Sequence, residues 1–227
     1  MSQKHPSTVV SRVLSLSFVI ACALLILSVG DGARAALIDF DHDAAGNTLT
    51  APDLFTNTVR LTELYAPLGV HFAGPGGNNG GAILNQGGNF GVSALSGLNF
   101  LAFNRQSVMS DGGIPTDPET IRFDVLMLSV SIFAAGGSDV NTFEMRAFGA
   151  GGNLLTLATV TSQTFSQMTV SSAAGIARVE LREVSPVGDN AFVYDNLSFT
   201  PVPEPGTWLL LALSLAGIVA SRRRRWL

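Results

Sequence analysis

The stretch Leu126-Met127-Leu128-Ser129-Val130-Ser131-Ile132 decides the fold. Its alternation predicts an extended strand with Leu126, Leu128, Val130 and Ile132 on one face, because successive side chains of a strand point to opposite sides. Phe143-Glu144-Met145-Arg146-Ala147 and Ala177-Arg178-Val179-Glu180-Leu181-Arg182 repeat the pattern, the second with every charge on one side. Working outward, further strands are expected at Leu37–Asp41, Val70–Ala73, Leu98–Phe103, Thr120–Asp124, Leu154–Thr161, Phe165–Ser171 and Ala191–Phe199. Gly136-Gly137, Gly151-Gly152-Asn153 and Gly188-Asp189-Asn190 supply turn chemistry between them. Only Thr58–Tyr65 hints at a short helix. Many short strands without intervening helices predict an all-β fold, an antiparallel β-sandwich of jelly-roll type. Gly74–Gly91, with eight glycines in 18 positions, reads as a loop between strands. A nucleotide-binding reading fails there, because no helix follows and no Gly-Lys-Thr is present.

Charge narrows the function. The chain has 227 residues. Between Ala36 and Thr200 there are six arginines, no lysine and 15 acids, an excess of nine negative charges. Such a surface repels phosphate backbones and excludes nucleic acid as a partner. The only cysteine is Cys22, so the central domain has neither disulfide nor thiolate chemistry.

Both ends read as addresses. Lys4 and Arg12 precede an apolar run, Val13–Val29, which Gly30-Asp31-Gly32 breaks. Ala33-Arg34-Ala35 then offers the small-x-small pattern that signal peptidase accepts, so residues 1–35 are expected to be a signal peptide read by the Sec machinery. The rival readings are an uncleaved anchor and lipidation at Cys22. At the other end, residues 201–227 form three parts. A proline-stiffened segment holds Pro203-Glu204-Pro205, residues 207–220 are an apolar helix, and Arg222, Arg223, Arg224 and Arg225 follow. Prolines fix φ and disfavour helix before them, so the first part is extended. Fourteen helical residues span about 21 Å against a core of about 30 Å, a marginal transmembrane helix that the arginines orient with the domain outside the cytoplasm.

This ending resembles the PEP-CTERM sorting signal of Gram-negative bacteria: Val202-Pro203-Glu204-Pro205, the short helix and the arginine cluster stand in the same order. The resemblance implies that exosortase, a membrane enzyme, recognises Pro203, Glu204 and Pro205 and processes the chain. It also implies an exported surface or matrix protein of bacteria that make exopolysaccharide, held in the inner membrane before processing. The framing of the domain, with Ile38-Asp39-Phe40-Asp41 opening it and Tyr194-Asp195-Asn196-Leu197-Ser198-Phe199 closing it, is similar to β-sandwiches found ahead of this signal. Those sandwiches resemble carbohydrate-binding modules in outline.

Candidates for catalysis are thin, and no catalytic residue is assigned. Only His42 and His71 lie in the domain, and neither Gly-x-Ser-x-Gly nor His-Glu-x-x-His occurs. His71, between Val70 and Phe72, reads as an outward-facing structural histidine. Asp39, Asp41 and Asp43 are expected on one face of an extended strand, where like charges call for solvent or a hard cation such as Ca²⁺. Asp195 shares a strand face with Val193, Leu197 and Phe199, so its carboxylate is expected to point inward. It must find backbone donors or calcium there. The expected role is structural or binding, in the envelope or an exopolysaccharide matrix. The alternatives are a module recognising a defined glycan and, third, a polysaccharide-acting hydrolase. Absence of tryptophan from residues 36–200 weighs against strong sugar stacking.

Overall fold

Among the described residues the strand periodicity is realised as ten strands. The structure, a computed structural model, describes residues 35–50, 59–61, 63–74, 81–85, 90–102, 119–184 and 193–203. The expected signal peptide up to Arg34 and the apolar span 207–220 lie outside these residues. Among the described residues no helix is long and apolar enough to cross a membrane.

In chain order the strands are β1 (Ala36–Ile38), β2 (Val59–Arg60), β3 (Val70–Ala73), β4 (Ala82–Leu84), β5 (Phe100–Ala102), β6 (Glu119–Ala135), β7 (Asn141–Phe148), β8 (Leu154–Ser162), β9 (Ser166–Glu183) and β10 (Val193–Pro201). All pairings are antiparallel and follow the path β2-β4-β5-β10-β6-β9-β7-β8, with β1 on β10 and β3 on β6. Among the described residues of the stretch that hints at a helix, Val59–Arg60 form β2, Glu63, Leu64 and Tyr65 lie in a turn, and a 3₁₀ turn, Ala66–Leu68, follows. The glycine-rich stretch is not loop throughout, because Ala82, Ile83 and Leu84 form a buried strand inside it.

Two long strands turn this path into two layers. The segments expected separately at Thr120–Asp124 and Leu126–Ile132 are one strand, β6, and those at Phe165–Ser171 and Ala177–Arg182 are another, β9. Their ladder is interrupted between Arg122, Met127 and Ser129. Between the pairs Arg122↔Arg178 and Met127↔Ile176 the excess residues lie in β6; between Met127↔Ile176 and Ser129↔Ser171 they lie in β9. Bulges bend and twist a strand pair, so the β6–β9 ribbon passes from one layer to the other here. Gly175, at φ +84°, sits in this bend against Leu126. One layer contains β3, the first half of β6, the second half of β9, β7 and β8. The other contains β1, β2, β4, β5, β10 and the remaining halves.

The bend corrects one expectation. Leu126 and Leu128 are exposed, whereas Met127, Val130 and Ile132 are buried. The inward residues are odd-numbered at Ile121, Phe123 and Met127, with Val125 exposed in the bend, and even-numbered from Val130, as extra residues shift strand parity. Between the layers Phe143 packs edge-on against Tyr194 with ring centroids 5.7 Å apart, and Phe123 meets Phe199 at 5.5 Å. These rings join the buried aliphatic side chains in one large core. A smaller cluster of Leu84, Phe90, Phe100, Ala102, Ala135 and Val193 covers the opposite face of β5 and β10. Residues Ala35–Val202 form one compact unit.

Candidate functional site

The residues that drew notice in the sequence gather around the opening turn, the loop before β5 and the bulge in β10. β1 stops at Ile38 because Asp39 makes a turn: its Oδ1 accepts from the backbone N–H of Asp41 at 3.0 Å and of His42 at 3.1 Å. Phe40 takes φ 59°, a left-handed conformation costly for a residue with a Cβ. Its fully buried ring, edge-on to Tyr65 and Phe72, offsets that cost. The expectation of three aspartates along one extended face is therefore wrong, since the backbone leaves extended geometry at Phe40.

Each aspartate instead ties down a different segment. Asp39 Oδ2 lies 2.8 Å from His42 Nδ1, and this contact raises the histidine's pKa above its ordinary value. Asp43 accepts from Ala45 and Asn47 N–H and from the Asn47 amide, and hydrogen bonding to Asn47 holds its pKa below the usual carboxylate value. Asp41 Oδ1 accepts from the N–H groups of Leu98 at 2.9 Å and Asn99 at 3.1 Å.

Asp195 completes the other side of the same loop. Its Oδ2 accepts from Leu95 N–H at 2.8 Å and Ser96 N–H at 3.2 Å, and its Oδ1 from Asn196 N–H at 2.7 Å. Asn196 has φ 53° and marks the bulge at which β10 changes parity. Tyr194, Leu197 and Phe199 thus face the large core, whereas Val193 belongs to the small cluster. Asp195 shares Val193's side of the strand. It is buried as expected, but beneath the loop rather than in the main core. Burial pushes its pKa up to about 6, against the opposing pull of the three backbone donors.

Asp41 and Asp195 together grip four backbone amides of residues 95–99. Gly97, at φ +52°, passes so close to the Asp41 carboxylate that a Cβ would collide with it. Asn99 Nδ2 donates to the carbonyls of Phe40 and Leu49, joining the clamp to the opening turn. For Asp195 the structure shows backbone hydrogen bonding, one of its two expected solutions. Among the described residues no group of three His, Cys, Asp or Glu side chains is arranged to hold a metal ion.

His71 is half-buried and outward-facing, with a carboxylate at each ring nitrogen: Glu63 at Nδ1, 2.7 Å, and Asp124 at Nε2, 3.0 Å. The Glu63 hydrogen bond is the largest cause of its raised pKa. Neither Glu63 nor Asp124 was singled out in the sequence. The same is true of Gly97 and Asn99. Their partners lie eight to 59 positions away, and no local motif signals such a meeting.

The last strand delivers the chain to its ending. Pro201 pairs with Met127, the Val202 N–H donates to the Leu126 carbonyl at 2.8 Å, and Pro203 is exposed. Ala35, the last residue before the expected cleavage point, is also exposed. Ala33, Glu204, Pro205 and Arg222, Arg223, Arg224 and Arg225 lie outside the described residues.

These features define an antiparallel β-sandwich whose closing strand runs directly into a C-terminal address. That address is a PEP-CTERM protein-sorting motif, matched over residues 201–225. The motif implies an exported protein processed at the membrane, with exosortase as its processing partner. No curated protein matches the chain. Among solved structures it is similar to the K2 cleaved adhesin domain of Lys-gingipain, at 14% identity and TM-score 0.43, covering 74% of this chain and 99% of that one. It is also similar to a family 35 carbohydrate-binding module from Clostridium thermocellum, at 14% identity and TM-score 0.30, covering 49% and 85%. A third is a family 6 carbohydrate-binding module, at 12% identity and TM-score 0.29, covering 74% and 94%. At these values nothing about the ligand of this chain rests on the likeness.

Proposed function

We propose that this is an exosortase-sorted protein of the cell surface or extracellular matrix, with a non-catalytic structural or binding role in an exopolysaccharide layer. The observation that carries the reading is the sorting motif at residues 201–225, which begins where β10 ends. A signal peptide of residues 1–35, cleaved by signal peptidase between Ala35 and Ala36, brings the domain through the Sec machinery. The tail then holds it in the inner membrane until Pro203-Glu204-Pro205 is processed. A non-catalytic role fits the employment of the two most notable carboxylates. Asp41 and Asp195 are engaged by backbone amides, and a group occupied in this way is not poised to move a proton to a substrate.

Recognition of a defined glycan is the second reading, and one feature favours it. Across β10, β6 and β9, Ser198, Ser131 and Thr169 stand in register, as do Thr200, Ser129 and Ser171. Ser131 Oγ lies 2.7 Å from Ser198 Oγ, and Gln167 Nε2 donates to it at 3.3 Å. This hydroxyl ladder offers hydrogen bonds to sugars but no aromatic platform.

Intact mass and cell fractionation in the native host test the sorting reading. Glu204→Gln should leave export unchanged and keep the tail on the chain, because the helix and arginines are untouched. Full-length tail on surface material from normal cells would refute it.

A further inference from the structure

We propose that the end of the sandwich where the chain leaves it is a lipid-docking surface, which rests this domain against the bilayer while the tail is still attached. The inference rests on the sorting reading for the tail and adds a surface on the domain itself.

Three strands meet side by side at this end: Pro201 of β10 pairs with Met127 of β6, which pairs with Ile176 of β9. The bend in the β6–β9 ribbon lies here. It turns Val125, Leu126 and Leu128 outward, with 58%, 38% and 38% of their surfaces exposed, and leaves Ala173 and Ala174 exposed on the facing strand. Four consecutive residues thus present three large apolar side chains to solvent, at the one point where the strand parity changes. Isolated exposed leucines need no explanation, but an apolar group at the register break of one ribbon is a surface.

The occupant follows from covalent connection. Val202 is hydrogen-bonded to Leu126, and the apolar run of the tail begins at Thr207. Only residues 203–206 intervene, a reach of about 15 Å when extended. An apolar segment seated in a bilayer therefore tethers Val202 to the membrane by no more than that reach, which the docking proposed here closes. The start of the domain emerges at the same end, because Ala36 pairs with Phe199.

Charge selects the same face. The domain carries 15 acids, and anionic leaflets repel carboxylates within a Debye length of about 10 Å. Yet residues 125–133, 166–177 and 196–202 contain no charged side chain at all. Of the carboxylates that adjoin these segments, Asp124 is paired with His71 and Asp195 accepts from three backbone amides. Along these three segments a bilayer meets no charged side chain, Glu204 of the connecting segment being the acid that stands between them and the apolar run, and apolar side chains at the interface then gain by leaving water.

The test uses the full chain with Cys22→Ser, reconstituted in phosphatidylethanolamine–phosphatidylglycerol vesicles. An environment-sensitive fluorophore is placed on Leu126→Cys, on Leu128→Cys or, as control, on the exposed Leu157→Cys of β8. Trypsin protection of the Arg222–Arg225 end, read by mass, scores the tail independently. Docking predicts a blue shift and quenching by spin-labelled lipid at 126 and 128, with water-like emission at 157. If the arginine end is protected but 126 and 128 emit as in water, docking is overturned and the tail reading survives. Equal quenching at all three positions also overturns a specific surface. If the arginine end is not protected, the tail reading fails and the docking built on it fails too.

Discussion

At the scale of single residues, the clamp around residues 95–99 is held by groups with no adequate substitute. Gly97 combines φ +52° with contact against the Asp41 carboxylate, so an alanine there meets both backbone strain and a clash. Gly97→Ala should cost about 2 kcal/mol or more, read as a lower midpoint in denaturant unfolding. Asp195→Ala removes the acceptor for Leu95 and Ser96 N–H. Both bonds are part-buried, so each orphaned donor should cost toward the lower end of about 1–3 kcal/mol, and amide exchange at these two positions should accelerate before that of the core strands. Asp195 also sets a pH dependence. Its native pKa of about 6 lies above the unfolded value, so the native state binds more protons between about pH 4 and 6. Stability should therefore fall as pH rises through that window, by on the order of 3 kcal/mol, and Asp195→Asn should flatten the slope. A stability curve for the wild type that rises from pH 4 to 6 would contradict this account.

At the scale of elements, the β6–β9 ribbon carries the architecture. A regular strand from Glu119 to Ala135 would place Leu128 beside Val130 in the core, and the molecule would be a flat sheet. The reciprocal bulges put Met127 inside and Leu128 outside. Two substitutions one residue apart should therefore differ sharply. Met127→Ala should cost about 2–5 kcal/mol as a core truncation, whereas Leu128→Ala should stay within about 0.5 kcal/mol as a surface change. Equal losses by thermal or chemical unfolding would restore the unbroken alternation read from the sequence. Gly175 belongs to the same device. A Cβ there would approach Leu126 within 2.8 Å at a backbone φ of +84°. The strand sites were legible because alternation is a local signal. The joining of two expected strands into β6, and of two into β9, was not legible, because a bulge is defined by its partner's register. β4 was hidden for a related reason: Ala82-Ile83-Leu84 is too short to show a period, and its glycine surroundings suggested loop.

At the scale of the whole molecule, electrostatics favours mild acid. The nine excess negative charges of residues 36–200 repel one another at neutral pH and are partly neutralised as pH falls. His71 acts in the same direction. Its raised pKa contributes stability that is full below its unfolded value of about 6.5 and is lost as pH rises through the folded one. Asp43 acts oppositely, since its lowered pKa gives stability that disappears as pH falls below the usual carboxylate value. Together with Asp195 these signs place the stability maximum near pH 4–5, a melting series from pH 3 to 9 being the measurement. A maximum at pH 7 or above would show that the histidine and Asp195 contributions are outweighed.

The sequence by itself determined the strand periodicity, the all-β class, the charge excess and the C-terminal address. Each is a property of neighbouring residues: alternation, composition, or the order of prolines, apolar run and arginines. Strand parity also marked Asp195 as a buried carboxylate in need of donors, although the Asn196 bulge puts Leu197 and Phe199 on the other face. Only the tertiary structure decided which donors. Leu95 and Ser96 lie about a hundred positions from Asp195, and they meet it because the Asn196 bulge turns that side of β10 toward the loop. The same holds for the outward turn of Leu126 and Leu128. A parity change needs the register of a second strand, and hydrogen-bond register between distant segments is fixed by the packed core rather than by either segment's own residues.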